Sequence, residues 1–248
     1  MSKIQLEDIV VEFPIYNMSS RSFKKAVLNI GTGGKISNDS RNRVVIQSLR
    51  HINLELNDGD RVGLIGHNGS GKTTLLRVLA GIYEPVQGRI HIEGRITPLL
   101  ESSLGMDPDV NGYENIFLRG LYLGLDLAKL NDNIEEIAEF TELGDYLSMP
   151  IRTYSAGMQL RLAFGVATSL APEILLLDEW FGAGDAHFLE KAQKRFEGFA
   201  DQSKIIVLAT HSVEIINRMC NKVVLLDKGE LKAIGSPSEI LPMYMNNL

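Results

Sequence analysis

Apolar and polar positions alternate from the start of the chain. The opening IQLEDIVVEF is rich in β-branched residues and reads as a strand. Next, Phe23, Ala26, Val27 and Ile30 fall at i, i+3, i+4 and i+7, which predicts a short amphipathic helix ended by the GTGG run. INLEL alternates as a second strand. RVGLIG is a compact apolar run bounded by glycines, and TTLLRVLAGI after it has helical periodicity. GRIHIEG and RITPLL predict a strand pair, and from about Glu114 to Leu170 the pattern is helical, carried by NIFLRGLYLGL, IEEIAEF and QLRLAFGVATSL. ILLLDE and KIIVLATH are buried-strand runs separated by the charged helical stretch LEKAQKRFEGF. VVLLDKGELKAIG closes as a hairpin with Lys228-Gly229 in the turn. Strands alternating with helices predict an α/β fold around a parallel sheet, with the helical block inserted into it.

Composition narrows the class. The chain has 248 residues, 44% hydrophobic and 23% charged, which suits a globular protein and not a disordered or fibrous one. A membrane-spanning helix needs about 18 apolar residues in a row. The best run, starting at Leu162, is broken by Pro172 and Glu173. The N-terminus has no apolar stretch of the secretory kind, and the lone Cys220 has no disulfide partner within the chain, so a reducing cytoplasm is expected. The net charge of −6 argues against a nucleic-acid partner. It conceals a basic insertion at 21–43, where Arg21, Lys24, Lys25, Lys35, Arg41 and Arg43 face only Asp39.

The chemistry is concentrated in a few runs. Gly66-His67-Asn68-Gly69-Ser70-Gly71-Lys72-Thr73 fits the phosphate-binding pattern G-x-x-x-x-G-K-[ST], with a strand before it and a helix after it. Glycines let backbone N–H groups turn toward phosphate oxygens, and the following helix presents its positive end. Lys72 is then placed for the β and γ phosphates, and Thr73 for Mg²⁺. Thr74 completes the run of nucleotide-binding positions. ILLLDE ends a buried strand in two acids: Asp178 on the metal side, and Glu179 to polarise the attacking water. His211 follows the strand IIVLAT, at the end where such sheets bind ligands; it reads either as a structural hydrogen-bonding residue or as a bridge between γ-phosphate and water. Tyr154-Ser155-Ala156-Gly157-Met158 opens a helix. Ser155 is a plain N-cap or, with its small neighbours, part of an anion site.

In order and spacing GHNGSGKT, YSAGM, ILLLDE, GAGD and the His of ATH resemble the ABC-type ATPases over almost the whole chain. The resemblance implies a P-loop NTPase core at 1–100 and 171–248, a helical subdomain at about 101–170 and N-terminal antiparallel strands. It implies an ATPase with ATP and Mg²⁺ as cofactors that works as a head-to-tail homodimer on ATP binding. Ser155 and Gly157 would then act in trans and Asp185 would link the two sites, with Glu179, His211 and Lys72 catalytic. Adenine would stack on Phe13, the best match, or on Tyr16. The glutamine-loop position falls at Glu101, a further metal-side group, where a carboxylate adds charge that an amide would not.

YSAGM in place of LSGGQ, together with EFTELGDYL and FGAGDAHF, is similar to the polysaccharide-exporting branch that serves O-antigen and teichoic acid. That branch implies a separate transmembrane permease, a lipid-linked glycan moved through it, and a peripheral position on the cytoplasmic face of the inner membrane. A chain ending at Leu248 leaves no room for the extra glycan-binding domain that some such exporters carry. The basic insertion at 21–43 is either a solvated loop or a face toward the membrane, the permease or the anionic glycan. Two rivals stand against transport: a soluble ABC ATPase of repair or translation, which usually fuses two cassettes or inserts a coiled coil, and a P-loop kinase, in which YSAGM and His211 have no role.

Overall fold

The computed structural model describes residues 1–14, 35–38, 44–100, 104–178 and 186–246. Its first elements are β1 (Lys3–Pro14), β2 (Lys35–Asn38), β3 (Val44–Asn57), β4 (Arg61–Ile65), α1 (Lys72–Leu79), β5 (Gln87–Glu93) and β6 (Ile96–Leu99). Then come α2 (Gly112–Tyr122), α3 (Leu127–Asp132), α4 (Ile134–Thr141), two 3₁₀ turns (Gly144–Ser148 and Ile151–Thr153) and α5 (Ala156–Ala167). The last are β7 (Ile174–Asp178), α6 (Ala186–Asp201), β8 (Ile205–Ala209), α7 (Val213–Met219), β9 (Lys222–Asp227), β10 (Glu230–Gly235) and α8 (Pro237–Met245). They form two compact units, 1–94 with 204–248, and 95–203.

The first unit holds an antiparallel sheet in the order β2-β3-β1-β5. Ile4 and Leu6 of β1 pair with Leu56 and Leu54 of β3, and all four are buried, as alternation predicts. The alternation then breaks, because Ile9, Val10 and Val11 are all buried. The cause is a pair of compensating bulges: the register slips at Asp8 on β1 and again near His51 on β3, both in left-handed backbone and joined by a 2.7 Å contact from His51 Nδ1 to Asp8 Oδ1. A third slip leaves Ser48 without a partner on β1. Two sequence expectations change here. The basic insertion contains a strand, β2, which pairs with β3 from Lys35↔Gln47 to Asn38↔Val44; the rest of 21–43, including the expected helix at 23–30, lies outside the described residues. GRIHIEG and RITPLL do not pair with each other: β5 joins β1 antiparallel and β6 joins β7 in parallel, a choice made with strands distant along the chain and not within the two runs themselves.

The same unit carries β4 between β8 and β9, all parallel, with β10 antiparallel on β9. β8 is buried throughout and β4 from Val62 onward, as their continuous apolar runs require. The β9–β10 turn is the expected one: Lys228 and Gly229 both have positive φ, 48° and 81°, the signature of a tight hairpin. α8 starts at Ser236 with a reciprocal capping box to Glu239 and Pro237 in its first turn. Its Ile240, Leu241 and Tyr244 pack with Ile65, Ile216 and Val223.

The second unit is mainly helical around the parallel pair β6 and β7. Asn111 caps α2 in a second capping box with Glu114, Asp126 caps α3, and Ser155 caps α5 through Met158 N–H. The rings of Phe140, Phe164 and Phe188 pack with centroids 5.6–6.4 Å apart. Arg195 lies over Phe140 and is paired with Glu136, while Arg161 lies over Phe188. Among the described residues no helix is long and apolar enough to cross a membrane.

Candidate functional site

The loop between β4 and α1 is shaped by its own sequence. Ser70 N–H donates to His67 O at 3.0 Å, closing a turn whose tip, His67-Asn68-Gly69, is exposed. At Gly66 a Cβ would lie 2.2 Å from Leu226 O and 2.5 Å from Ser70 Oγ, so only glycine lets the chain enter the loop this close to β9. Lys72 arches back over the turn: its Nζ donates to Gly66 O at 2.7 Å and to His67 O at 3.3 Å, and the side chain is largely buried. α1 has no side-chain cap and no acid in its first turn. A helix start of this kind, with an ammonium beside it, suits a polyphosphate through backbone N–H donors and the helix dipole. Thr73 is half-buried one residue into the helix, and Thr74 Oγ1 shares a 2.8 Å hydrogen bond with Ser48 Oγ, which ties α1 to the bulge of β3.

The hairpin turn holds the loop from its other side. Gly229 N–H donates to Ser70 O at 2.9 Å, Gly229 O accepts from Arg50 N–H at 2.7 Å, and Lys228 O accepts from Arg50 Nε at 3.0 Å. An ion pair from Arg50 to Glu230 at 3.0 Å secures the contact. His211 is exposed just past β8, and its Nδ1 lies 3.4 Å from Tyr244 Oη. Phe13 pairs with Ile46, two residues before Ser48, and rests edge-on against Tyr83 with centroids 5.2 Å apart. Phe13 is about one-third exposed, 36%.

In the second unit Asp178 ends β7, half-buried. Ser155 is exposed at the start of α5, and a Cβ on Gly157 would meet nothing nearer than Ser155 Oγ at 3.9 Å, so the helix start is open. Tyr154, in contrast, is a core residue: its hydroxyl donates to Tyr146 O at 2.6 Å, and burial pushes its pKa up to about 12. Arg119 of α2 is buried, donating to Leu104 O at 2.6 Å and Ala163 O at 3.0 Å, and burial lowers its pKa to about 10. It thus joins the stretch that follows 101–103 to the helix that Ser155 starts. Tyr16, Glu101, Glu179 and Asp185 lie outside the described residues. Among the described residues no group of three His, Cys, Asp or Glu could by itself hold a metal. Thr73 in the first unit and Asp178 in the second each offer an oxygen donor of the kind Mg²⁺ takes, an ion that needs few protein ligands.

Residues 49–182 match the sequence model of the ABC transporter family. The chain belongs to that family. Over 229 residues it is 47% identical to the O-antigen export system ATP-binding protein RfbE of Yersinia enterocolitica, covering 92% of this chain and 96% of that one. It is 41% identical to the O-antigen export system ATP-binding protein RfbB of Myxococcus xanthus and 35% identical to the teichoic acids export ATP-binding protein TagH of Lactococcus lactis, each over 98% of this chain. It spans only 56% and 50% of those two proteins. The fold is that of an ABC ATPase cassette: a dimeric, post-hydrolysis structure of the ATP-binding cassette MJ0796 aligns with a TM-score of 0.68 at 19% identity, over 94% of this chain and 98% of that one. An ATP-binding subunit of an ABC transporter aligns at 0.71 and 21%, over 98% and 93%.

Within this ABC cassette the motif residues of the first unit stand where strand ends and loop turns place them. Two contacts had no signal in the motifs. The Lys228-Gly229 turn is legible as a turn, but its docking on Ser70 is a tertiary fact. Tyr244 sits on a helix announced by Ser236-Pro237-Ser238-Glu239, a start signal that hydrophobic periodicity alone misses.

Proposed function

We propose that this chain is the ATP-hydrolysing subunit of an ABC exporter that moves a lipid-linked polysaccharide, of the O-antigen or teichoic-acid kind, across the cytoplasmic membrane. The observation that carries the reading is 47% identity, nearly end to end, to an ATP-binding protein of O-antigen export. The subunit lies peripherally on the cytoplasmic face, engages a separate permease dimer, and pairs with a second copy of itself when ATP binds.

The residues divide the work. Lys72, steered by the carbonyls of Gly66 and His67, holds the β and γ phosphates together with the first-turn N–H groups of α1. Phe13 gives adenine a ring to stack on, with Tyr16 as the alternative. Thr73 and Asp178, with Glu101 as a further metal-side group, would hold Mg²⁺, and the ion when bound would draw charge from the phosphate oxygens. Glu179 orients and polarises the attacking water, and His211 holds the γ-phosphate side in line. Ser155 and Gly157 serve the partner copy's nucleotide through an open helix start, and Asp185 links the two sites.

Complementation of a deletion strain tests both layers. Loss of the protein should leave lipid-linked polymer inside the cell. The wild-type gene should restore export, while Glu179→Gln should not, its purified protein accumulating as ATP-bound dimers. Normal surface polymer in the deletion strain would overturn the transport reading, and undiminished turnover in the variant would remove Glu179 as base.

A further inference from the structure

One side chain of the first unit touches both the phosphate loop and the histidine past β8. Tyr244 is 7% exposed and held by Ile65, Ile216, Val223, Ile240 and Leu241. Ile65 immediately precedes the loop glycine Gly66, and Ile216 lies on α7, whose cap Ser212 follows His211 directly. The ring is therefore fixed relative to both segments. Its ring centroid lies 6.0 Å from that of His67 at the loop tip, the two planes tilted by 51°, within the range of aromatic contact. Its hydroxyl lies 3.4 Å from His211 Nδ1. That distance is at the long end for a hydrogen bond, as catalytic contacts often are before substrate draws them tight.

We propose that Tyr244 is a positioning residue for His211 and sets its tautomer. In this arrangement the tyrosine hydroxyl is the donor and Nδ1 the acceptor across the 3.4 Å contact, so the imidazole carries a proton on Nε2, the nitrogen that the phosphate-side reading turns toward a phosphate oxygen. The ring contact with His67 ties the same side chain to the tip of the phosphate loop. The C-terminal helix thereby becomes part of the nucleotide site without itself touching the reacting atoms. This rests on the reading of His211 as the phosphate-side histidine.

Tyr244→Phe keeps the ring in its apolar bed and removes only the hydroxyl. In histidine-selective ¹⁵N NMR of the nucleotide-free full chain, His211 should be protonated on Nε2 in the wild type and should shift toward a mixed tautomer in the variant. In steady-state turnover the variant should lose about 2–10-fold in kcat, the range of one hydrogen bond, with the KM for ATP within about twofold. In a His211→Ala background the same change should cost nothing further, because the effect passes through that imidazole. An unchanged tautomer in Tyr244→Phe overturns the proposal whatever the turnover, and so does an equal fall in both backgrounds. A wild-type chain that hydrolyses no ATP would instead remove the ATPase reading, with the tautomer still deciding the role of Tyr244.

Discussion

The docking of the hairpin turn on the phosphate loop is open to a quantitative test through Gly229. Its φ is 81°, and an added Cβ would lie 2.5 Å from Ser48 O, a backbone atom with no freedom to swing away. Gly81 supplies the control: its φ is 71°, but an added Cβ would meet nothing within 4 Å. Gly81→Ala should cost only the left-handed conformation, about 1–2 kcal/mol, less the roughly 0.4–1 kcal/mol returned by a stiffer unfolded chain. Gly229→Ala carries the same cost and must also push the turn off β3. That strains or breaks the hydrogen bonds from Gly229 N–H to Ser70 O and from Arg50 N–H to Gly229 O. At about 0.5–1.5 kcal/mol for each bond, the total reaches about 1–5 kcal/mol. For a chain of this size that is a fall of about 2–20 °C in Tm, against about 0–6 °C for the control. Thermal unfolding followed by circular dichroism measures both. Titration with a fluorescent ATP analogue should show weaker binding only in Gly229→Ala, because only there does the partner of Ser70 move. Equal Tm values and equal affinities for the two variants would refute the idea that the turn shapes the loop.

Ser155 separates two roles that its position combines. Ser155→Asp preserves an N-cap acceptor for Met158 N–H and should leave Tm within about 1 kcal/mol equivalent of wild type, yet its negative charge should abolish ATP-driven dimerisation in gel filtration. Glu239 reports on the C-terminal helix through pH. Its carboxylate accepts from the backbone N–H and the hydroxyl of Ser236, which lowers its pKa below the ordinary 4.5. The folded protein thus binds that proton more weakly than the unfolded chain, so the stabilisation is fully present above about pH 4.5 and is lost as pH falls through the lowered pKa. Glu239→Gln should lower Tm at pH 7, and the gap to wild type should close in acid. A gap constant from pH 7 to pH 3 would show that the cap does not depend on charge.

Much of this architecture is legible in the sequence where the causes are local. RVGLIG, the glycine loop and TTLLRVLAGI predict a strand, a turn and a helix because each is set by neighbours within a few residues, and so does the Lys228-Gly229 hairpin. The long strand β3 is only half legible. Its alternation is interrupted where the register slips near His51 and at Ser48, and bulges of this kind follow from pairing with β1, not from the run itself. The partners of β5 and β6 are hidden for the same reason, since strand choice is made across the fold. Within the nucleotide site, the motif residues announce themselves by type and spacing, whereas Gly229, Ser48 and Tyr244 act through contacts with residues 26 to 181 positions away along the chain.

The buried Arg119 has a bearing on how this chain tolerates change. The two acceptors named for its guanidinium, Leu104 O and Ala163 O, are main-chain carbonyls, which every amino acid supplies. These two bonds therefore ask nothing of the side chains at 104 and 163 beyond packing. Position 119 is more restricted, since a lysine carries one nitrogen and cannot set donors at the two separate places that Nε and Nη1 occupy on a planar guanidinium. For these two bonds the donor side is bound to one residue type, and the acceptor side is set by the main chain alone.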